Sequence, residues 1–132
     1  MNTTDLNWKN WLLQADQYLK AGTSEKAKIR FGTDIRYNLL SLSLESYIMA
    51  ILDYKGTMPE NHTYTDLLNA LESVITIQAS LKEQILKYEN IQQICSIDKY
   101  SIKNPTEEEL ADLHNAISNI GEIAYSVIND AY

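Results

Sequence analysis

Apolar groups in residues 37–53, YNLLSLSLESYIMAILD, cover most of a helical circumference instead of one stripe. That is the pattern of a helix enclosed by neighbours in a bundle. Tyr37, Leu40, Leu44, Tyr47, Ile51 and Tyr54 step by three and four along one register. Ile35, Leu39, Leu42 and Met49 occupy another face, and Ser41, Ser43 and Ser46 are small enough to let neighbours approach. The segment reads as the central helix of an all-helical domain. Before it, Thr3 or Thr4 can cap a first helix whose Trp8, Trp11, Leu12, Ala15, Tyr18 and Leu19 share a face, and Ala21-Gly22-Thr23 ends it. A second segment starts near Ser24 and runs toward the central helix, with Gly32-Thr33 placed to kink or break it. Gly56 and then Pro59 stop the central helix.

After Pro59, Thr63 or Thr65 can cap a third pattern of about four turns, through Tyr64, Leu67, Leu68, Leu71, Val74 and Ile75. A fourth follows from Ser80, with Leu81, Ile85, Tyr88, Ile91 and Ile94 or Cys95 in register. Residues 96–104 form a polar connection. Pro105 and the pairing of Thr106 with Glu109 mark the last helix as a capping box, the best-defined boundary in the chain. Leu110, Leu113, Ile117, Ile120, Ala124, Val127 and Ala131 then build a seam for near-parallel packing. No segment alternates with period two. The pattern predicts an all-α fold: one domain over residues 1–132, an antiparallel up-and-down bundle of four to five helices.

A chain of 132 residues buries roughly two-thirds of its unfolded surface without help from a metal or disulfide. The lone Cys95 cannot form an intrachain disulfide and reads as a small buried thiol, consistent with a reducing compartment. No secretory signal is recognisable, and the longest strictly apolar run, Ile48 to Leu52, is far short of the roughly 20 residues that span a bilayer. The expectation is a cytoplasmic protein without membrane contact. Nearly all of the net charge of −7 falls in residues 105–132, where Glu107, Glu108, Glu109, Asp112, Glu122 and Asp130 meet no Lys or Arg. An acidic last helix argues against phosphate contact there. Lys20, Lys26, Lys28, Arg30 and Arg36 form a modest basic stretch that reads as a solvated helix face.

Three segments in this order resemble the HEPN superfamily, the "higher eukaryotes and prokaryotes nucleotide-binding" helical domains. LSLESYIMAILDYKG is similar to the family's Glu-containing apolar second helix that stops at a Gly; NHTYTDLLNAL resembles its His followed by a Leu-Leu helix; DKYSIKNPTEEEL stands where relatives often carry an Arg-Tyr-Pro loop. The resemblance implies a small bundle that often dimerises and occurs in toxin–antitoxin systems, beside minimal nucleotidyltransferases, and among ribonucleases. The ribonuclease branch uses an Arg with four to six residues between it and a His near the start of the last helix. Here His114 is in place, but Glu107, Glu108 and Glu109 occupy the Arg positions, and Asp98-Lys99-Tyr100 replaces Arg-Tyr-Pro. A Glu repels the phosphate charge that an Arg would stabilise.

Glu45 and Asp53, about two turns apart on the central helix, are candidates to share a face and aim into a groove. Burial would pair Glu45 with a Tyr or with Arg36. His62 reads as a helix-start residue engaged in capping and loop packing. Nine Tyr are many for this length; Tyr37, Tyr47 and Tyr54 share a stripe suited to an interface rim. Trp8 and Trp11 pack on the central helix or join that interface. Pro59 and Ala111 stand three residues before His62 and His114, so the Glu-x-x-His spacing of di-metal bundles is absent. Neither a phosphate loop nor a Cys-x-x-Cys pair nor a Ser nucleophile motif occurs. The sequence therefore predicts a non-catalytic HEPN-like binding module, a homodimer with a protein partner, using no metal and no cofactor, with Glu45, Tyr47, Asp53 and Tyr54 as binding candidates. The alternative is a divergent ribonuclease or nucleotide-binding enzyme that joins His114 to a basic group such as Arg36 from another helix or subunit.

Overall fold

The computed structural model describes residues 4–89 and 104–129. Among them all regular structure is helical: α1 (Thr4–Thr23), α2 (Glu25–Arg30), α3 (Thr33–Lys55), α4 (Tyr64–Glu72), α5 (Ala79–Leu86) and α6 (Glu107–Asn129). The boundaries follow local chemistry. Ser24 caps α2, its hydroxyl accepting from the Ala27 amide at 3.1 Å. Phe31 and Gly32 are both extended, so the chain breaks between α2 and α3 where the sequence left a kink or a break open. Gly56 ends α3 in the left-handed conformation, φ 76°, which a residue without Cβ adopts at little cost. The amides of Gly56 and Thr57 then bond back to Asp53 and Leu52, closing the last turn as in a Schellman motif. At α6 the capping box forms in both directions: the Thr106 amide donates to Glu109 at 2.9 Å and the Glu109 amide to the Thr106 hydroxyl at 3.1 Å.

α4 is shorter than its apolar pattern predicts, nine residues in place of about four turns. The Ser73 hydroxyl donates to the Ala70 carbonyl at 2.6 Å, and the β-branched run Val74-Ile75-Thr76-Ile77 resists continuing a helix because its side chains lose rotamers against the preceding turn. Val74 and Ile75 are partly buried against the core all the same. Periodicity reported burial there and not helix. The fourth pattern is helical through Leu86, and its continuation to Ile91, Ile94 and Cys95 lies outside the described residues, as do Asp98, Lys99, Tyr100 and Ala131.

α3 is the centre of the molecule. Leu44, Ile48, Ala50, Ile51 and Leu52 have no exposed surface, and a fully buried Leu or Ile stabilises by about 1.5–3 kcal/mol. α1 lies antiparallel on it: Gly22 meets Leu39 and Arg36, the Ser43 hydroxyl donates to the Ala15 carbonyl at 2.8 Å, and Trp11 reaches Asp53. α6 runs beside α3 in the same sense, with Arg36 against Glu107 near the start of both helices and Tyr47 against Gly121 further along. α5 is antiparallel to α6, since Gln84 and Tyr88 bond to Asp112 while Ile77 and Leu81 face Ile123. The antiparallel up-and-down arrangement that the sequence predicts is therefore corrected: not all neighbours are antiparallel. α3 and α6 are parallel because the connection between them, which holds α4 and α5, makes the return.

Candidate functional site

Two clefts hold the chemistry that the sequence reading singled out. The first lies where α1 ends and α3 and α6 begin, a space of ≈160 Å³ lined by Gly22, Lys28, Arg36, Glu107, Ala111 and His114 among others. Arg36 is only 4% exposed. Its Nε donates to the Gly22 carbonyl at 3.2 Å, and its Nη1 donates to both Glu107 oxygens at 2.9 and 2.7 Å. This one guanidinium ties the last turn of α1 to the first turn of α6. A buried cation requires such compensation, because desolvation costs more than an unpaired charge recovers. Glu107 also stands with Glu108 and Glu109 in the first turn of α6, where the helix dipole favours acids.

His114 is half-buried one to two turns further along α6. Burial, and then the positive charge of Lys28, holds its pKa below the ordinary histidine value. A neutral imidazole results at neutral pH, able to accept a proton. The structure thus brings His114 and Arg36 to one cleft within a single chain. It also commits the Arg36 charge to Glu107. Of the remaining basic stretch, Lys20, Lys26, Lys28 and Arg30 are exposed, as a solvated face requires, and Arg36 is the exception.

The second cleft, ≈340 Å³, lies between α3 and the start of α4. Glu45 lines it and pairs with Nδ1 of His62. The expected partners of Glu45, a Tyr or Arg36, are thereby corrected: Arg36 is nine residues earlier, about two and a half turns, which carries it to the opposite side of α3 toward α1 and α6, and the nearby Tyr64 hydroxyl is engaged by Ser41. His62 precedes the Thr63 cap, whose hydroxyl accepts from the Asp66 amide. Its own role is to reach across to α3.

The other binding candidates face elsewhere. Eight residues at 3.6 per turn leave Asp53 rotated by about 80° from Glu45, and Asp53 accepts from the Trp11 indole at 2.8 Å. The two acids do not share a groove. Tyr54 meets Trp8 edge-to-face, ring centres 5.7 Å apart. Tyr47 is buried and donates to Asp16, which also accepts from Tyr125 at 2.5 Å. Burial first, and then the bond to Asp16, raises the Tyr47 hydroxyl pKa and pushes that of Tyr125 up to about 12. Trp8 and Trp11 thus pack against the end of the central helix.

Sequence reasoning missed two acids. Asp16 joins α1 to α3 and α6 through two tyrosines. Asp112 accepts from Tyr88 and Gln84 and pairs with Lys87, and the Tyr88 bond, followed by Lys87, holds its pKa below the usual carboxylate value. Both look like ordinary surface acids in the sequence, since their partners come from other helices. Among the described residues no group of three or more His, Cys, Asp or Glu is placed to hold a metal ion, and no helix is long and apolar enough to cross a membrane. Compared with family models, curated proteins and solved structures, the chain matches none.

Proposed function

We propose that this chain is a non-catalytic helical binding module of HEPN-like design, acting in the cytoplasm as a homodimer and as the protein partner of a toxin–antitoxin or nucleotidyltransferase type of system. The observation that supports this reading is the state of Arg36. A ribonuclease of that design needs a cation free to meet phosphate as charge develops, whereas the guanidinium that shares a cleft with His114 is 4% exposed and spends Nε and Nη1 on Gly22 and Glu107. The acidic first turn of α6 beside it repels a polyanion.

One observation favours a second reading. His114, Lys28 and Arg36 line one cleft, and a neutral imidazole beside two cations is a plausible base for a phosphoester bearing a 2′-hydroxyl. The two readings separate in a fluorogenic oligoribonucleotide cleavage assay run with the wild type and His114→Ala, alongside the solution mass by light scattering. The module reading expects the mass of two chains and no cleavage in either protein. Cleavage that disappears in His114→Ala would replace it with the nuclease reading, and a monomer at every concentration would remove the homodimer.

A further inference from the structure

The Glu45–His62 cleft stands apart from the Arg36 junction and is independent of the reading above. Asn38, Ser41, Leu42 and Glu45 recur at three- and four-residue spacing, so they occupy one face of α3. His62 and Tyr64 close the opposite side. The Glu45 side chain is 25% exposed and that of His62 57% exposed. The acid is therefore deeper than the imidazole that covers it. His62 is the one hydrogen-bonding partner of Glu45 among the described residues, and no Lys or Arg lines the space. The Asn38 side chain and Nε2 of His62 have no hydrogen-bond partner among the described residues. Leu42, 40% exposed, gives the cleft an apolar wall.

The Glu45 carboxylate and the Asn38 side-chain carbonyl both offer acceptors to this space. A carboxylate, an amide oxygen and an apolar wall suit a donor-rich cation and disfavour an anion. We propose that this cleft binds a small primary amine in its ammonium form, with the nitrogen on Glu45, the apolar body on Leu42, and His62 as the resident occupant that the amine displaces. A volume of ≈340 Å³ lies at the small end of the roughly 300–1,000 Å³ typical of ligand sites, enough for one ring or a short chain.

Benzylamine is the probe, titrated into the full chain at neutral pH and followed by backbone amide shifts in NMR, with benzoate and benzyl alcohol as matched controls. Saturable shifts confined to residues 38–45 and 62–67 are expected from benzylamine and not from benzoate. Glu45→Gln keeps the shape of the side chain and removes its charge; affinity should fall by roughly tenfold or more, the scale of a charged hydrogen bond. His62→Ala removes the competitor and should bind benzylamine at least as tightly as the wild type. The proposal is overturned if neither wild type nor His62→Ala responds, if benzoate matches benzylamine, or if folded Glu45→Gln retains wild-type affinity. Circular dichroism establishes that each variant is folded.

Discussion

At the scale of single residues, close contacts in this molecule are set by what a position lacks. A Cβ on Gly121 would stand 2.9 Å from the Tyr47 ring and within 3.2 Å of two more of its carbons. The ring cannot retreat easily, because its hydroxyl is held by Asp16. Gly121→Ala should therefore cost about 1–3 kcal/mol, as overpacking of a full core does, even though alanine favours a helix by about 1 kcal/mol over glycine. Urea unfolding would show a lower midpoint with an unchanged slope. A variant as stable as the wild type would mean that Tyr47 can shift. Glycine in an apolar helix is visible in the sequence, but the ring opposite it is 74 residues away and was read only as part of a tyrosine stripe.

At the scale of elements, helix starts were legible where the capping residue lies within one turn of the group it satisfies. Ser24, Thr63 and Thr106 act as the sequence implies. Thr106→Ala removes one partner of the capping box and should destabilise by about 0.5–2 kcal/mol. Because Glu107 stands in the same first turn and holds Arg36, fraying should reach the junction with α1. Hydrogen exchange would then speed up at the first amides of α6 and near Gly22; acceleration confined to α6 would show that the Arg36 tie survives the loss of the cap. Helix ends were less legible. α4 stops at Glu72 while its apolar period runs on through Val74 and Ile75, because burial in a turn leaves the same hydrophobic spacing as burial in a helix.

For the whole molecule, polar ties between helices make stability depend on pH at both ends. The Tyr125 pKa, pushed up to about 12, and the raised Tyr47, Tyr64 and Tyr88 values mean that above pH ~10 the unfolded chain releases protons that the folded one retains. Stability from these groups is complete below that pH and is lost as pH rises through the folded values. The lowered His114 and Asp112 values act in the opposite direction. The unfolded chain takes up protons first, so the His114 contribution is lost as pH falls below ~6.5 and that of Asp112 below ~3.9. Urea midpoints from pH 3 to 12 should trace a dome. Tyr125→Phe should flatten its alkaline limb, and an unchanged limb would assign that loss to general repulsion in a chain already at −7.

The amino-acid sequence alone determined the helical class, the enclosure of residues 37–53, most helix starts and the acidic character of α6. These are written within one or two turns of chain, where periodicity and capping act. Tertiary structure decided which side chains meet. Glu45 pairs with His62 across 17 residues, Tyr47 with Asp16 across 31, Arg36 with Glu107 across 71 and Tyr125 with Asp16 across 109. It also decided that α3 and α6 lie parallel. Such contacts depend on how helices dock and rotate against one another, and a local pattern of apolar residues marks the buried face of each helix without naming the helix that covers it.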